Sequence, residues 1–193
     1  MTTLRHLARL LPVIALALLA ACATPPPDEL PPPSEAEISA LASEIRALGV
    51  DVAPEEAARA ARIAITYPRR LAVQYDVEDP PIIHNMKVNR GLKPRGLCYQ
   101  WADDMEARLR QEGFETLELH RAIANSENAL RIEHSTVIVS RRGESMWEGI
   151  VLDPWRDGGI LWWGSVHEDD AYPWLPRQEV FARKRARLRG ADG

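Results

Sequence analysis

Apolar and polar positions divide the chain into four differently patterned stretches. Leu10 to Ala21 is continuously hydrophobic but shorter than the ~20 residues a mature membrane-spanning helix needs. Residues 23–33 hold six prolines, which forbid helix and favour an extended, semi-rigid polyproline spacer. Helical periodicity then begins. Ser34 and Glu37 form a capping-box pattern ahead of Ile38, Leu41, Ala42, Ile45 and Leu48, which predicts a helix over 35–48. Pro54 suits a first helical turn and Glu55-Glu56 its positive end, so a second helix is expected from Pro54 until Tyr67-Pro68 stops it. Residues 68–97 carry breakers at Asp79-Pro80-Pro81 and from Gly91 to Gly96, with a short helix around Ile82–Val88. Cys98, Trp101, Ala102, Met105 and Leu109 make one apolar stripe ahead of Gly113, predicting a helix over 97–112. Beyond it the period changes to that of strands: Phe114–Ile123, Ser135–Val139 and Met146–Leu152, the last two joined by a turn at Arg141-Arg142-Gly143-Glu144. The expected fold class is α+β, with N-terminal helices followed by a helix packed on an antiparallel β-sheet.

A length of 193 residues favours one domain, and 46% hydrophobic with 27% charged residues suits a packed core. The formal charge of −4 lacks the basic excess that neutralises nucleic-acid phosphates, so no nucleic-acid partner is expected. Arg5 and Arg9 precede the apolar run, which ends in Leu19-Ala20-Ala21-Cys22. This ending resembles the lipobox of bacterial lipoproteins, in which the Cys receives lipid and becomes the new N-terminus. The resemblance implies a signal peptide over 1–21, lipidation at Cys22 and a proline-rich stalk to residue 33. It further implies a cell-envelope protein held on the membrane through lipid, and Ala23 rather than an Asp points to the outer membrane, facing the periplasm. The folded domain would then span 34–180 and a basic tail 181–193, a solvated segment with contact to anionic lipid or cell wall as the alternative.

With Cys22 used for lipid, Cys98 has no partner in its own chain. In an oxidising compartment an unpaired thiol asks for a reason: burial, pairing with another chain, or reactivity. Its place in the first turn of a helix favours a thiolate, through free N–H groups and the helix dipole. If the second and third strands form a hairpin, His134 just before one and Asp153 just after the other become neighbours. A cysteine nucleophile needs an imidazole to take or balance its proton and an acceptor to orient that imidazole. Cys98, His134 and Asp153 supply the three types. Each also has a plainer reading: a buried thiol, a hydrogen-bonded sheet histidine, and an Asp-Pro turn. His120 is the substitute histidine if the register differs, whereas Glu133, Glu148 and Asp157 read as solvated charges. No Cys-x-x-Cys or His-x-x-x-His pair accompanies the set, so neither a metal nor another cofactor is expected.

Three segments carry a resemblance to the papain-like clan, and more closely to transglutaminase-like cysteine peptidases: Cys98-Tyr99-Gln100-Trp101, the run from His134 to Val139, and Val151-Leu152-Asp153-Pro154-Trp155. The family order, Cys on a helix start, His on a strand and Asp on the next, is met with spacings of 36 and 19 residues. The resemblance covers residues 80–165 and implies a catalytic triad acting by acyl transfer on an envelope protein or peptidoglycan amide. Ser135-Thr136 replaces the usual bulk after the histidine, and no oxyanion side chain is identified by spacing. Asn89 and Asn85 are the candidates, beside the Cys98 backbone N–H. Most of the six tryptophans should build the core. Trp101 follows the cysteine closely, and Trp155, Trp162 and Trp163 surround Gly158-Gly159, where aromatics can wall a substrate cleft. Two kinds of function are thus expected of such a chain: a cysteine hydrolase (amidase or protease), or a transglutaminase-like acyl transferase if an amine rather than water resolves the acyl-enzyme; or else a catalytically inactive module of the same fold that binds an envelope protein or cell wall.

Overall fold

The computed structural model describes residues 32–191; the expected leader, Cys22 and nearly all of the stalk lie outside them. Five helices, α1 (Glu35–Ala47), α2 (Pro54–Gln74), α3 (Pro81–Asn89), α4 (Cys98–Arg110) and α5 (Arg177–Ala191), accompany strands β1 (Leu117–Ala124), β2 (His134–Arg141), β3 (Ile150–Asp157), β4 (Ile160–Ser165) and β5 (Leu175–Pro176). The fold is α+β, with the N-terminal helices and an antiparallel sheet ordered β4-β3-β2-β1-β5. Among the described residues no helix is long and apolar enough to cross a membrane.

Ser34 and Glu37 make both bonds of the capping box, so α1 starts where the sequence indicates. Leu41 and Ile45 of α1 and Ala60, Ala61 and Ala64 of α2 are wholly buried, and the alanines let the two helices approach closely. The expectation that Tyr67-Pro68 ends α2 is overturned: the helix runs through Pro68 to Gln74. An internal proline costs about 3 kcal/mol. Burial of Leu71, Ala72 and Tyr75 against Trp101 and Trp155 outweighs it, at roughly 1.5–3 kcal/mol for each large side chain. Gly159, in the β3–β4 turn at φ 108°, abuts this segment; a Cβ there would stand 2.7 Å from the Ala72 Cβ.

β2 is buried along seven of its eight residues because both faces of the sheet are covered. Val137 and Val139 pack with Ile150 and Leu152 beneath α2 and α4, whereas Ile138 and Val151 pack with Met146, Val166 and Trp174 on the other side. β1 starts three residues later than predicted, since the N–H groups of Glu115 and Thr116 go to the buried Glu56 carboxylate (2.7 and 2.8 Å) rather than to a ladder. The third strand also differs from expectation. Met146–Glu148 is a 3-10 turn capped by Ser145, and β3 runs from Ile150 through Asp153 and Pro154 to Asp157, so Asp153 lies inside the strand. Pro154 is tolerated there because the β3–β4 register shifts between Asp153 and Asp157. Trp162 and Trp163, which follow Gly158-Gly159, lie on a strand the sequence pattern did not predict, β4, and the basic C-terminal run is exposed as expected but helical.

Candidate active site

The segment leading to Cys98 is clamped before α4 begins. Gln100 accepts hydrogen bonds at one Oε1 from the N–H groups of Gly96 (2.9 Å) and Leu97 (3.0 Å). Trp101 Nε1 donates to the Gly96 carbonyl at 3.0 Å, and the His84 ring bonds the Arg95 carbonyl through Nε2 at 2.8 Å. Gly96 is required here: its φ is 126°, and a Cβ would stand 2.3 Å from His84 Nε2. Arg95 and Tyr75 both bond Asp104, at 2.9 and 2.5 Å, tying the loop to α2 and α4. Cys98 thus opens α4, where backbone N–H groups have no carbonyl a turn before them.

The antiparallel register of β2 on β3 brings His134 to Asp153. His134 Nε2 meets Asp153 Oδ2 at 2.6 Å, with both side chains essentially out of solvent, 1% and 0% exposed. Its other ring nitrogen, Nδ1, is buried without a hydrogen bond of ordinary geometry, and the Cys98 sulfur acts on the ring. The Cys98 thiol donates to the carbonyl of Glu133, the residue before His134, at 3.5 Å. All three predicted residues therefore converge. The imidazole is caged by Trp155, Tyr172 and Trp174, with ring centroids at 4.7, 4.5 and 5.4 Å.

Burial by itself would push the His134 imidazolium down. The Asp153 charge, its hydrogen bond and the Cys98 sulfur reverse this and raise it to about 9. Burial likewise favours the neutral form of Asp153, but the His134 and Arg156 charges and their hydrogen bonds hold its carboxyl below the usual carboxylate range. Asp153 is anchored on both oxygens. Oδ1 accepts from the N–H groups of Trp155 (3.1 Å) and Arg156 (3.3 Å), and Oδ2 accepts from His134 and from Arg156 Nε (3.1 Å).

Two cavities flank the pair. One of about 300 Å³ is lined by Cys98, Tyr99, Arg121, Ser135, Arg177 and Phe181; another of about 190 Å³ by His134, Trp155, Tyr172, Asn125, Arg131 and Ile82. Asn125, Arg131 and Tyr172 also line a larger groove of about 930 Å³ that continues from the second cavity past Trp147 and Trp174. Arg121 is buried yet neutralised, with Asp103 and Glu106 as partners and further bonds to Ser135 Oγ and the Thr136 carbonyl.

The remaining candidates fall in different places. Asn85 is buried, but its Oδ1 accepts from Trp155 Nε1 at 3.1 Å; Asn89 is exposed at the end of α3. Trp155 lines the cavity beside His134. Trp101 is buried edge-on against Tyr75, Trp162 carries the Arg156 guanidinium 3.6 Å above its ring, and Trp163 donates to Glu44 on α1. His120 bonds Ser140 Oγ on β2 and lines a separate cavity. Glu133 pairs with Lys184 of α5, while Glu148 and Asp157 are exposed. Among the described residues no group of three or more His, Cys, Asp and Glu side chains is arranged to hold a metal ion.

Sequence reasoning missed Arg156, Asp169, Tyr172 and Trp174, which close the site from behind. The available signals were the arginine directly after Leu152-Asp153-Pro154-Trp155 and the aromatic density of Tyr172-Pro173-Trp174. The chain matches no family model, no curated protein and no solved structure.

Proposed function

We propose that the protein is a transglutaminase-like cysteine hydrolase, lipid-anchored in the bacterial envelope, that cleaves an amide of a protein or of peptidoglycan by acyl transfer. The observation that carries the reading is the buried 2.6 Å pair of His134 and Asp153 with the ring set against Cys98 at the start of α4. Cys98 Sγ, paired as a thiolate with the His134 imidazolium, attacks the amide carbonyl carbon. Backbone N–H groups at the start of α4 hold the resulting oxyanion. Collapse breaks the C–N bond, the imidazolium gives its proton to the leaving amine, and a thioester remains on Cys98. Water then attacks the thioester as its proton passes to the now neutral His134, the C–S bond breaks, and the acid leaves with the thiolate–imidazolium pair restored. Asp153 holds Nε2 throughout, which keeps Nδ1 available for proton transfer. The two cavities suit the two halves of a substrate, with the acyl part on the Cys98 side and the leaving amine on the His134 side.

The test is the rate of iodoacetamide labelling at Cys98, read by peptide mass spectrometry from pH 4 to 9, in the wild type and His134→Ala. Fast labelling that persists below pH 6 and is lost in the variant is expected. Labelling that rises only near the ordinary thiol value of ~8.5 in both proteins, or none in the folded state, would overturn the catalytic reading in favour of a binding module.

A further inference from the structure

We propose that Arg156 is a positioning residue of the triad, fixing the Asp153 carboxylate and offsetting part of its charge so that His134 can release its proton to a leaving group. This rests on the reading of Cys98, His134 and Asp153 as the catalytic set. Arg156 Nε bonds the same oxygen, Oδ2, that faces His134, while the Arg156 backbone N–H helps hold Oδ1. The guanidinium is itself immobilised. Its two terminal nitrogens meet both oxygens of Asp169 at 3.2 and 2.8 Å, and its face lies 3.6 Å from the Trp162 ring centroid and 4.6 Å from that of Tyr172. Asp169 is in turn fixed by Trp174 Nε1 at 2.8 Å. Tyr172 and Trp174 therefore cage the imidazole and also hold the assembly that holds Asp153.

A surface ion pair would have none of this. Arg156 is only 15% exposed at its side chain, Asp169 1% and Asp153 0%, so the charges act on one another with little screening. A buried carboxylate with no second cation would leave its whole charge on His134. Such an imidazolium is a poor general acid because it keeps its proton. The charged and titratable groups around the pair are Asp153, Arg156 and Asp157 on β3, Cys98 on α4, Asp169 and Tyr172 in the segment after β4, and Arg131 before β2. Of these, Arg156 is the cation bonded directly to Asp153 Oδ2 besides His134.

The experiment is an NMR titration of the His134 ring in the full chain, for wild type, Arg156→Met, Arg156→Lys and Asp169→Asn. Removal of the guanidinium is expected to move the His134 midpoint upward by on the order of one pH unit, and lysine to return at least half of that shift. Asp169→Asn keeps the guanidinium but removes its counter-charge, so the midpoint should move down; this variant decides the matter if Arg156→Met does not fold. A midpoint unchanged or lowered in Arg156→Met, a lysine variant that behaves like methionine, or no downward shift in Asp169→Asn would each overturn the proposal. The titration needs no substrate. An unreactive Cys98 in the wild type would defeat the catalytic reading alone, while the His134 midpoints still report whether Arg156 offsets Asp153.

Discussion

Between pH 6.5 and about pH 10 the protein is expected to lose stability through one imidazole. His134 has an ordinary value of 6.5 and is raised to about 9 in the folded chain, with burial opposing and Asp153 and Cys98 prevailing. A group raised on folding stabilises fully below its unfolded value and loses that contribution as pH climbs through its folded value. Each unit corresponds to about 1.4 kcal/mol, so the loss across the interval is on the order of 3 kcal/mol. For a chain of this size that lowers the melting temperature by roughly 6–12 °C. Asp153 works in the opposite sense: its carboxyl is lowered from 3.8, so its contribution holds above that value and fails as pH falls through the folded one. Stability should therefore plateau between the two, from about pH 4 to about pH 6.5. The assay is thermal unfolding by far-ultraviolet circular dichroism from pH 3 to 10 in wild type, His134→Gln and Cys98→Ser. The glutamine variant should be nearly flat above pH 6.5, and the serine variant should retain the part of the slope due to Asp153. A glutamine variant that loses as much as the wild type across that interval would refute the reasoning.

Three further outcomes follow from individual contacts. Asp153→Asn removes one partner of a fully buried pair and should cost about 3–5 kcal/mol, checked by urea unfolding, and abolish Cys98 labelling below pH 6. Gly96→Ala forces a Cβ into the His84 ring at a positive φ; a loss of about 1–3 kcal/mol is expected, with slower labelling of Cys98 in the protein that remains folded. Glu56→Ala strips the N–H groups of Glu115 and Thr116 of their acceptor and should destabilise by about 1–3 kcal/mol for each, measured by the same unfolding, with labelling at Cys98 unchanged.

The helices were the most legible part of the chain, because their apolar spacing and caps are local. Ile38, Leu41 and Ile45, and then Cys98, Trp101, Ala102, Met105 and Leu109, are buried on the faces their spacing implies. The meeting of His134 with Asp153 was also legible, since consecutive antiparallel strands with a short connection, here residues 142–149, place the start of one beside the end of the next. Pro68 was not. Its local preference is set aside by packing of Leu71 and Tyr75 against tryptophans that are remote in sequence. β4 was obscured because Trp162 and Trp163 follow two glycines and do not alternate with polar residues. Arg156 was read past for a different reason: nothing local distinguishes a buried guanidinium from a solvated one when its partners, Asp153 and Asp169, come together only after β3 and β4 have paired.

The double coverage of β2 has a consequence for how the site comes apart. β2 is hydrogen-bonded to β1 and β3 and buried on both faces, so its amides should exchange with solvent deuterium only when the whole domain opens. His134 and its partner on β3 belong to that slowest-exchanging unit, whereas Cys98 begins a helix whose preceding loop is held by side-chain bonds from His84, Gln100 and Trp101. Release of those loop bonds and of the first turn of α4 would therefore expose the thiol while the imidazole half stays folded. Labelling of Cys98 under heat or mild denaturant would then precede loss of the sheet, and reversal of that opening would require only that one loop and one turn close again.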